Sequence, residues 1–429
     1  MKLIFFNAFI LVLIDFYIYY VLRKSTIKWA KGDFFKWAWW GYSFGLLIGV
    51  IVSIYFSIPL LFRSIILVAF FLTFTSKVFY VLVLLIDEIR RAALWSKKKW
   101  KNTKRQPSVP IKETVAANEE ADSAVETISR SQFLTRAGIV VAAIPFSTLS
   151  WGIAVGGYDY RVMQQKLYLP HLPKAFHGMR IGQISDIHSG SFYNKKAVEG
   201  GVGMLLREKV DVIFFTGDLV NGQAKEMRNY QDLFQKVKAP LGVYSILGNH
   251  DYGDYYYGKE DSPEKRKNLL QLKDIHRIMG WDLLLNEHRK LTVDNETIGI
   301  LGVENWGTGR FPKYGRIDLA REGTDDLPVK LLLSHDPSHW RAQILEHPDI
   351  DVMFAGHTHG MQFGVRGEHY QWSPAEYVYQ EWAGLYQEGK QQLYVNVGYG
   401  FLGYPGRVGI LPEITIFELL SGDAPAVNT

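Results

Sequence analysis

Residues 179–188 read Met-Arg-Ile-Gly-Gln-Ile-Ser-Asp-Ile-His. A short, mostly apolar run ends in a polar turn that offers a carboxylate and an imidazole two residues apart. On extended backbone two such side chains point to one side. The same shape recurs along the chain. Asp211–Thr216 leads into Gly217-Asp218, and Leu241–Leu247 leads into Gly248-Asn249-His250-Asp251. Lys330–Leu333 leads into Ser334-His335-Asp336-Pro337, and Asp351–Ala355 leads into Gly356-His357-Thr358-His359. Asn396-Val397-Gly398-Tyr399-Gly400 lies beyond them. Helix-like stretches at 195–208 and 224–237 separate the first three runs. Strands alternating with helices predict βαβ units around a buried sheet. Such sheets collect ligands in loops at the carboxyl ends of their strands, and every motif falls there.

The residue types then suggest chemistry. Carboxylate, carboxamide oxygen and imidazole suit Mn, Fe, Zn or Ni, and the chain has no cysteine to favour a softer ion. Asp186 and His188 form one pair of candidate ligands, and His357 and His359 another. Asp218 has two oxygens and can bridge two cations. Asn249 adds a neutral oxygen, which keeps the site from becoming too anionic for a phosphate. Paired cations are a common device for hydrolysing phosphate esters. Any one of these motifs alone is usually a turn or surface decoration; the ordered set is what carries the reading. The seven remaining histidines (His171, His177, His276, His288, His339, His347 and His369) lack this context and read as surface or core residues.

The first part of the chain has a different character. Residues 3–22, 38–61 and 64–87 are each long and apolar enough to cross a hydrocarbon core of roughly 30 Å. The formal net charge of +5 is concentrated beside them. Arg23, Lys24, Lys28, Lys31 and Lys36 follow the first stretch; Arg90, Arg91, Lys97, Lys98, Lys99, Lys101, Lys104 and Arg105 follow the third. The second link has only Arg63. This asymmetry is that of membrane topology rather than of nucleic-acid binding, and it puts residues 23–37 and 88–136 in the cytoplasm. Asp15 and Lys77 fall at matching depths in the first and third stretches and are expected to pair. Gly41, Gly45 and Gly49 repeat every four residues, a spacing that lets helices approach closely.

Residues 106–128 are polar and aperiodic and read as a cytoplasmic linker. Ser129-Arg130-Ser131-Gln132-Phe133-Leu134 then precedes an apolar run from Gly138 to Val155. This resembles a twin-arginine export signal with Ser131 in place of one arginine. No small-residue cleavage site follows, so a retained anchor is expected. The predicted organisation is a three-helix membrane region (1–90), a basic segment and linker (91–136), a fourth membrane helix or export-signal-like anchor (137–157), and a catalytic domain (158–429) on the extracytoplasmic side.

Taken together, the ordered motifs resemble the calcineurin-like metallophosphoesterase superfamily. The Gly-His-Thr-His-Gly form beside an export-like segment is similar to its membrane-associated bacterial YkuE/YaeI-like branch. The resemblance covers roughly residues 158–420. It implies an α/β fold, a four-layer αββα sandwich, preceded here by the α-helical transmembrane region of a bacterial inner-membrane protein. It also implies two divalent metal ions. One would take Asp186, His188, Asp218 and His359; the other would take Asp218, Asn249, His335 and His357. His250 would contact the phosphate and help the leaving group depart. Met361 stands where the branch carries a second glycine, and is expected to reshape the substrate entrance without replacing a ligand.

On substrate the residues say less. Arg407, in Gly-Tyr-Pro-Gly-Arg, has the donor fork to bind a phosphate oxygen. Tyr252, Tyr255, Tyr256 and Tyr257 follow one motif; Tyr370, Trp372, Tyr377, Tyr379, Trp382 and Tyr386 follow another. Such side chains favour the membrane–water interface, so a lipid-linked phosphate or pyrophosphate headgroup is the candidate substrate. Two other classes compete: a non-enzymatic sensor or scaffold with a phosphoesterase shell, and a transporter with an accessory domain. The first would be expected to lose ligands, and the second has only two central charges to work with.

Overall fold

The computed structural model describes residues 2–56, 58, 60–103, 129–311, 313–367 and 370–423. The chain divides into two compact units, Met1–Ser150 and Trp151–Thr429.

The first unit is helical: α1 (Lys2–Lys24), α2 (Asp33–Tyr55), α3 (Leu60–Thr103) and most of α4 (Arg130–Ala154). Three stretches, Asp33–Tyr55, Phe62–Trp100 and Arg130–Tyr158, are long and apolar enough to cross a membrane. Helix α1 has 23 residues over the first expected span. Helix α3 runs well past the expected 64–87, because its basic C-terminal residues continue the helix. The predicted linker at 106–128 lies outside the described residues.

Among the described residues, only Gly49 of the glycine repeat meets a neighbour: a Cβ there would come within 3.0 Å of Ile66, while Gly41 and Gly45 have nothing within 4 Å. The expected close approach is therefore confined to one end of the repeat. A tighter one was not foreseen: at Gly138 of α4 a Cβ would fall 2.7 Å from the Tyr80 ring.

Asp15 and Lys77 do form an ion pair, and Lys77 Nζ also lies 3.1 Å from Ser43 Oγ. Breaking one partner leaves the other charge uncompensated in a low-dielectric setting. Asp15→Asn and Lys77→Met should each destabilise the full-length protein in detergent. The double variant should be less destabilised than the sum, by on the order of 1 kcal/mol. Additive losses would mean the contact contributes nothing.

The second unit holds two six-stranded sheets. Its strands are β1 (Arg161–Leu169), β2 (Arg180–Ile184), β3 (Val212–Phe215), β4 (Val243–Ser245), β5 (Asp282–Leu283), β6 (Glu287–Val293), β7 (Glu296–Gly302), β8 (Lys330–Leu333), β9 (Val352–Ala355), β10 (Val365–Arg366), β11 (Gln371–Trp372), β12 (Gly384–Glu388), β13 (Gln391–Val395) and β14 (Glu413–Ser421). One sheet has the order β1-β14-β2-β3-β4-β5, the other β12-β13-β9-β8-β7-β6, and β10 and β11 pair separately. Strands β2, β3 and β4 are parallel, as are β7, β8, β9 and β13. Every residue of β3, β8 and β9 is buried, as expected for parallel strands covered on both faces.

Three apolar clusters define the layers. Ile181, Val212, Phe214, Ile300, Leu331, Val352, Phe354 and Phe417 pack between the two sheets. Outside the first sheet, Val198, Val202 and Leu205 of α5 (Lys195–Arg207) pack with Leu233 of α6 (Gln231–Phe234) and Leu272 of α8 (Pro263–Met279). The short α7 (Asp254–Tyr257) lies before α8 in sequence. Outside the second sheet, α9 (Ile317–Arg321) and α10 (Ser338–Ala342) contribute Ile317, Ala320 and Trp340. This is the expected four-layer αββα arrangement. The apolar residues of α5 recur at three- and four-residue spacing, which sets the face it buries. Asn194 caps this helix, accepting from the Ala197 N–H at 3.1 Å. The stretch expected as one helix at 224–237 is instead a short 3-10 turn (Ala224–Asn229) followed by α6.

Candidate metal centre

The two sheets bring the carboxyl ends of β2, β3, β4, β8, β9 and β13 together, and the loops there carry every predicted ligand. Gln183 ties the sheets at this end, its Nε2 donating to Thr216 Oγ1 and to the Ala355 carbonyl, both at 3.0 Å. The ligand atoms of Asp186, His188 and His359 lie within 4.8 Å of one another, as do those of Asp218, His335 and His357. Asp218 stands between the two groups. Its Oδ2 is 3.5 Å from His188 Nε2 and 3.2 Å from His335 Nε2. Asn249 joins the second group, with Oδ1 3.2 Å from His335 Nε2.

The backbone is bent sharply to achieve this. Asp186, His188, Asp218, His357 and His359 all have positive φ, between 47° and 72°. That conformation costs a non-glycine residue on the order of 1 kcal/mol, so five such residues in one place mark a functional site. Two glycines make the approach possible. A Cβ at Gly248 would fall 2.2 Å from Asp218 Oδ1, and one at Gly356 would fall 2.2 Å from Asp186 Oδ2.

The polar partners fix ligand orientation. His335 Nδ1 donates to the Thr216 carbonyl at 2.7 Å, which turns Nε2 towards Asp218, Asn249 and His357 Nδ1. Asn249 Nδ2 donates to Tyr255 Oη at 3.1 Å, which leaves Oδ1 for the cluster. His357 places Nε2 2.8 Å from Tyr379 Oη and 3.5 Å from Asp336 Oδ2, so Nδ1 is its ligand-side atom. His250 Nδ1 lies 3.0 Å from the Asn221 carbonyl, and its ring stacks on Tyr255 at 4.2 Å.

The electrostatics follow from burial against mutual charge. Burial would raise Asp186 and Asp218, but the surrounding imidazoles hold both well below the usual carboxylate range. Burial pushes His188 down to about 3. His335 is also buried, yet the charge and hydrogen bond of Asp218 raise it to about 10. The donor set fits divalent cations: buried carboxylate, carboxamide and imidazole atoms converge, and His188 and His359 turn their Nε2 atoms to face each other at 3.0 Å. Imidazole nitrogens so placed suit a shared cation better than each other.

One expectation needs revision, and one motif whose role was open gains one. Arg407 does not face a substrate opening. It is 1% exposed, and its guanidinium donates to the carbonyls of Gly400, Val397, Gly398, His359 and Ile410. The Asn396–Gly400 loop is equally structural: Tyr399 N donates to the Ser185 carbonyl and Gly400 N to the Asp186 carbonyl, supporting the first ligand turn from beneath.

Other contributors carried no recognised signal. Asp251 accepts from the backbone N–H groups of Asp218, Leu219, Val220 and Gly248, locking the Asp218 turn to the Asn249 turn. Burial and then the charge of Asp218 raise it to about 8. Phe311 packs edge-on against His357 at 4.7 Å. Met361 has φ 47° and is exposed, so the turn takes its left-handed form without a glycine at this position. Of the seven other histidines, His276 and His339 are buried and bonded to Ser245 and Ser334, and His369 lies outside the described residues.

Comparison with known proteins adds independent findings. A family model described as calcineurin-like phosphoesterase matches residues 179–361. One described as "Probable Calcineurin-like phosphoesterase, transmembrane domain" matches residues 1–157. A "Transmembrane protein with metallophosphoesterase domain" of Danio rerio is 27% identical over 302 residues, which are 68% of this chain and 64% of that protein. The alignment thus spans less than two thirds of the fish protein. The uncharacterized metallophosphoesterase YkuE of Bacillus subtilis is 28% identical over 315 residues, 69% of this chain and 99% of YkuE. An uncharacterized metallophosphoesterase of Aquifex aeolicus is 30% identical over 212 residues, 47% of this chain and 71% of that protein.

Proposed function

We propose, from the premise that this chain belongs to the calcineurin-like metallophosphoesterase family and is a membrane-associated hydrolase of phosphoester bonds, that it hydrolyses lipid-linked phosphates or pyrophosphates at a dinuclear metal site. Asp186, His188, Asp218 and His359 would hold one cation, and Asp218, Asn249, His335 and His357 the other. The observation that carries this is the position of Asp218 Oδ2, within 3.5 Å of a histidine nitrogen from each ligand group. When bound, paired divalent cations neutralise charge on a phosphoryl group and lower the pKa of the attacking water.

The chain's own residues supply the rest. The Nδ1 proton of His250 is engaged by Asn221 O, so the proton it gives to a leaving oxygen must sit on Nε2. Tyr255, stacked on that ring, holds it in place. Asp251 keeps the Asp218 and Asn249 turns in register without touching substrate. Arg407 acts as a positioning residue for His359. The lysine and arginine asymmetry of the helical region supports an extracytoplasmic catalytic unit; the membrane would be a bacterial inner membrane.

Two measurements test this reading. Metal analysis of the full-length protein should give two divalent ions per chain; a single ion at saturation overturns the dinuclear site. Metal-loaded protein incubated with a total lipid extract should release phosphate-containing products that the chelated protein does not. Hydrolysis of soluble diesters with every lipid phosphate left intact would remove the lipid substrate.

A further inference from the structure

An apolar face on the second unit is left open beside the metal centre. Leaving the ligand His359, the chain passes through Met361, Phe363 and Val365, all exposed, with Val365 at 54%. In strand β10 the usual alternation is inverted. Phe363 and Val365 turn outward, while Arg366 turns inward to an ion pair with the buried Glu413. Val365 pairs with Trp372 of β11, and Trp372 Nε1 donates to Tyr377 Oη at 3.3 Å. Tyr377, 75% exposed, and Val378 extend the same face. A contiguous exposed apolar surface of this kind marks an interaction site.

What covers it follows from its neighbour. Phe363 is bridged to Val408, and the Gly364 N–H donates to the Val408 carbonyl at 2.9 Å. On its other side Val408 meets the last turn of α4: a Cβ at Gly152 would fall 2.7 Å from Val408 Cγ2, and the Arg407 N–H donates to the Gly152 carbonyl. Beside Gly152, Trp151 is 66% exposed. It belongs to a stretch long and apolar enough to cross a membrane and, by compactness, to the second unit. A bilayer entered by α4 at this turn would meet the exposed Trp151, and Val408 links that turn to Phe363. Tyrosine and tryptophan at the edge of such a face suit the headgroup level.

We infer that the face built from residues 361–367 and 370–378 sits in the surface of the bilayer that α4 enters. It holds the rim of the metal centre at headgroup height. The inference rests on the lipid-substrate reading only for its consequence in turnover; the seating itself is independent of any activity.

The chain has no cysteine, so single reporters can be introduced cleanly. Val365→Cys, Tyr377→Cys and Asp325→Cys would each carry an environment-sensitive fluorophore on the full-length protein. Asp325 is exposed in the loop entering β8, at the far end of that strand from the centre. The proteins are reconstituted in phosphatidylethanolamine–phosphatidylglycerol vesicles containing nitroxide-labelled lipid. Quenching at Val365 and Tyr377 should exceed that at Asp325 by roughly threefold. Equal quenching at all three overturns the seating and leaves the face to a protein partner or a second copy. In a second arm, Val365→Glu with Tyr377→Ser should slow a vesicle-embedded phosphate substrate roughly tenfold and spare a soluble aryl diester. Equal slowing of both substrates counts against the inference. If the unsubstituted chain hydrolyses neither, the catalytic reading fails, while the quenching result still decides the seating.

Discussion

Asp218→Asn is expected to lower kcat for a soluble aryl phosphodiester by roughly 10³-fold or more, about 4 kcal/mol in the barrier, in a protein that still folds. Asn is nearly isosteric, so its amide oxygen can keep the bond that Oδ1 accepts from the His250 N–H at 2.9 Å. What is lost is the anionic Oδ2 that lies between the two histidine clusters. An amide nitrogen there would turn its hydrogens towards the very region where cations are to bind. Metal content should fall together with turnover, and the unfolding temperature of the metal-free protein should stay close to that of the parent. It should if anything fall slightly, because His335 loses the charge that raises it to about 10, a loss partly offset by relief of Asp251, which the same charge helps raise to about 8. Undiminished turnover, or two metals still tightly bound, would overturn the bridging role. Collapse of the metal-free fold would mean that Asp218 is structural instead.

The turns that carry the candidate ligands were legible because their signal is local. Each follows a short run whose residues are all or nearly all buried, so the apolar run and the polar turn after it occupy adjacent positions in the chain. The membrane helices were legible for the same reason, and so was the Asp15–Lys77 pair, since rise per residue fixes depth. Long-range geometry was not legible. Strand β1 begins with the exposed Arg161 and Gln164, yet it pairs in parallel with β14, some 250 residues away in the chain. Only that pairing explains why Leu167 and Leu169 are buried. Tyr379 and Phe311 approach His357 from separate loops with no spacing that could announce it. Asp251 stood in a quoted motif, but nothing in its neighbours reveals that four backbone donors from two turns converge on it. Gly41 and Gly45 show the opposite failure: a pattern with a known use, without a partner within reach among the described residues.

Arg407 is the sharpest case, because an arginine after Gly-Tyr-Pro-Gly looks like an exposed loop residue and is instead buried under His359. Burial pushes its guanidinium down to about 10, even against the pull of Asp186 and Glu413, and it stays charged at neutral pH. Its donors serve five backbone carbonyls from three stretches of chain, and Nη2 lies 3.1 Å from His359 Nδ1. Arg407→Met would take a donor from each of those carbonyls in a dry interior, with Gly398 O keeping a second one, the Glu413 N–H, at a cost of about 3–5 kcal/mol. The unfolding transition of the full-length protein should drop by roughly 10 °C. Because the same guanidinium fixes the Asn396–Gly400 loop beneath Asp186, metal affinity should weaken by roughly 10–100-fold, as for other groups that orient a ligand from behind. Arg407→Lys keeps the charge but not the fork, and one ammonium cannot reach all five acceptors; it should fall between parent and Met variant on both scales. A substrate-binding arginine gives another pattern, with KM for the diester raised while unfolding temperature and metal affinity stay at parental values. That outcome would return Arg407 to the phosphate and remove its role behind His359.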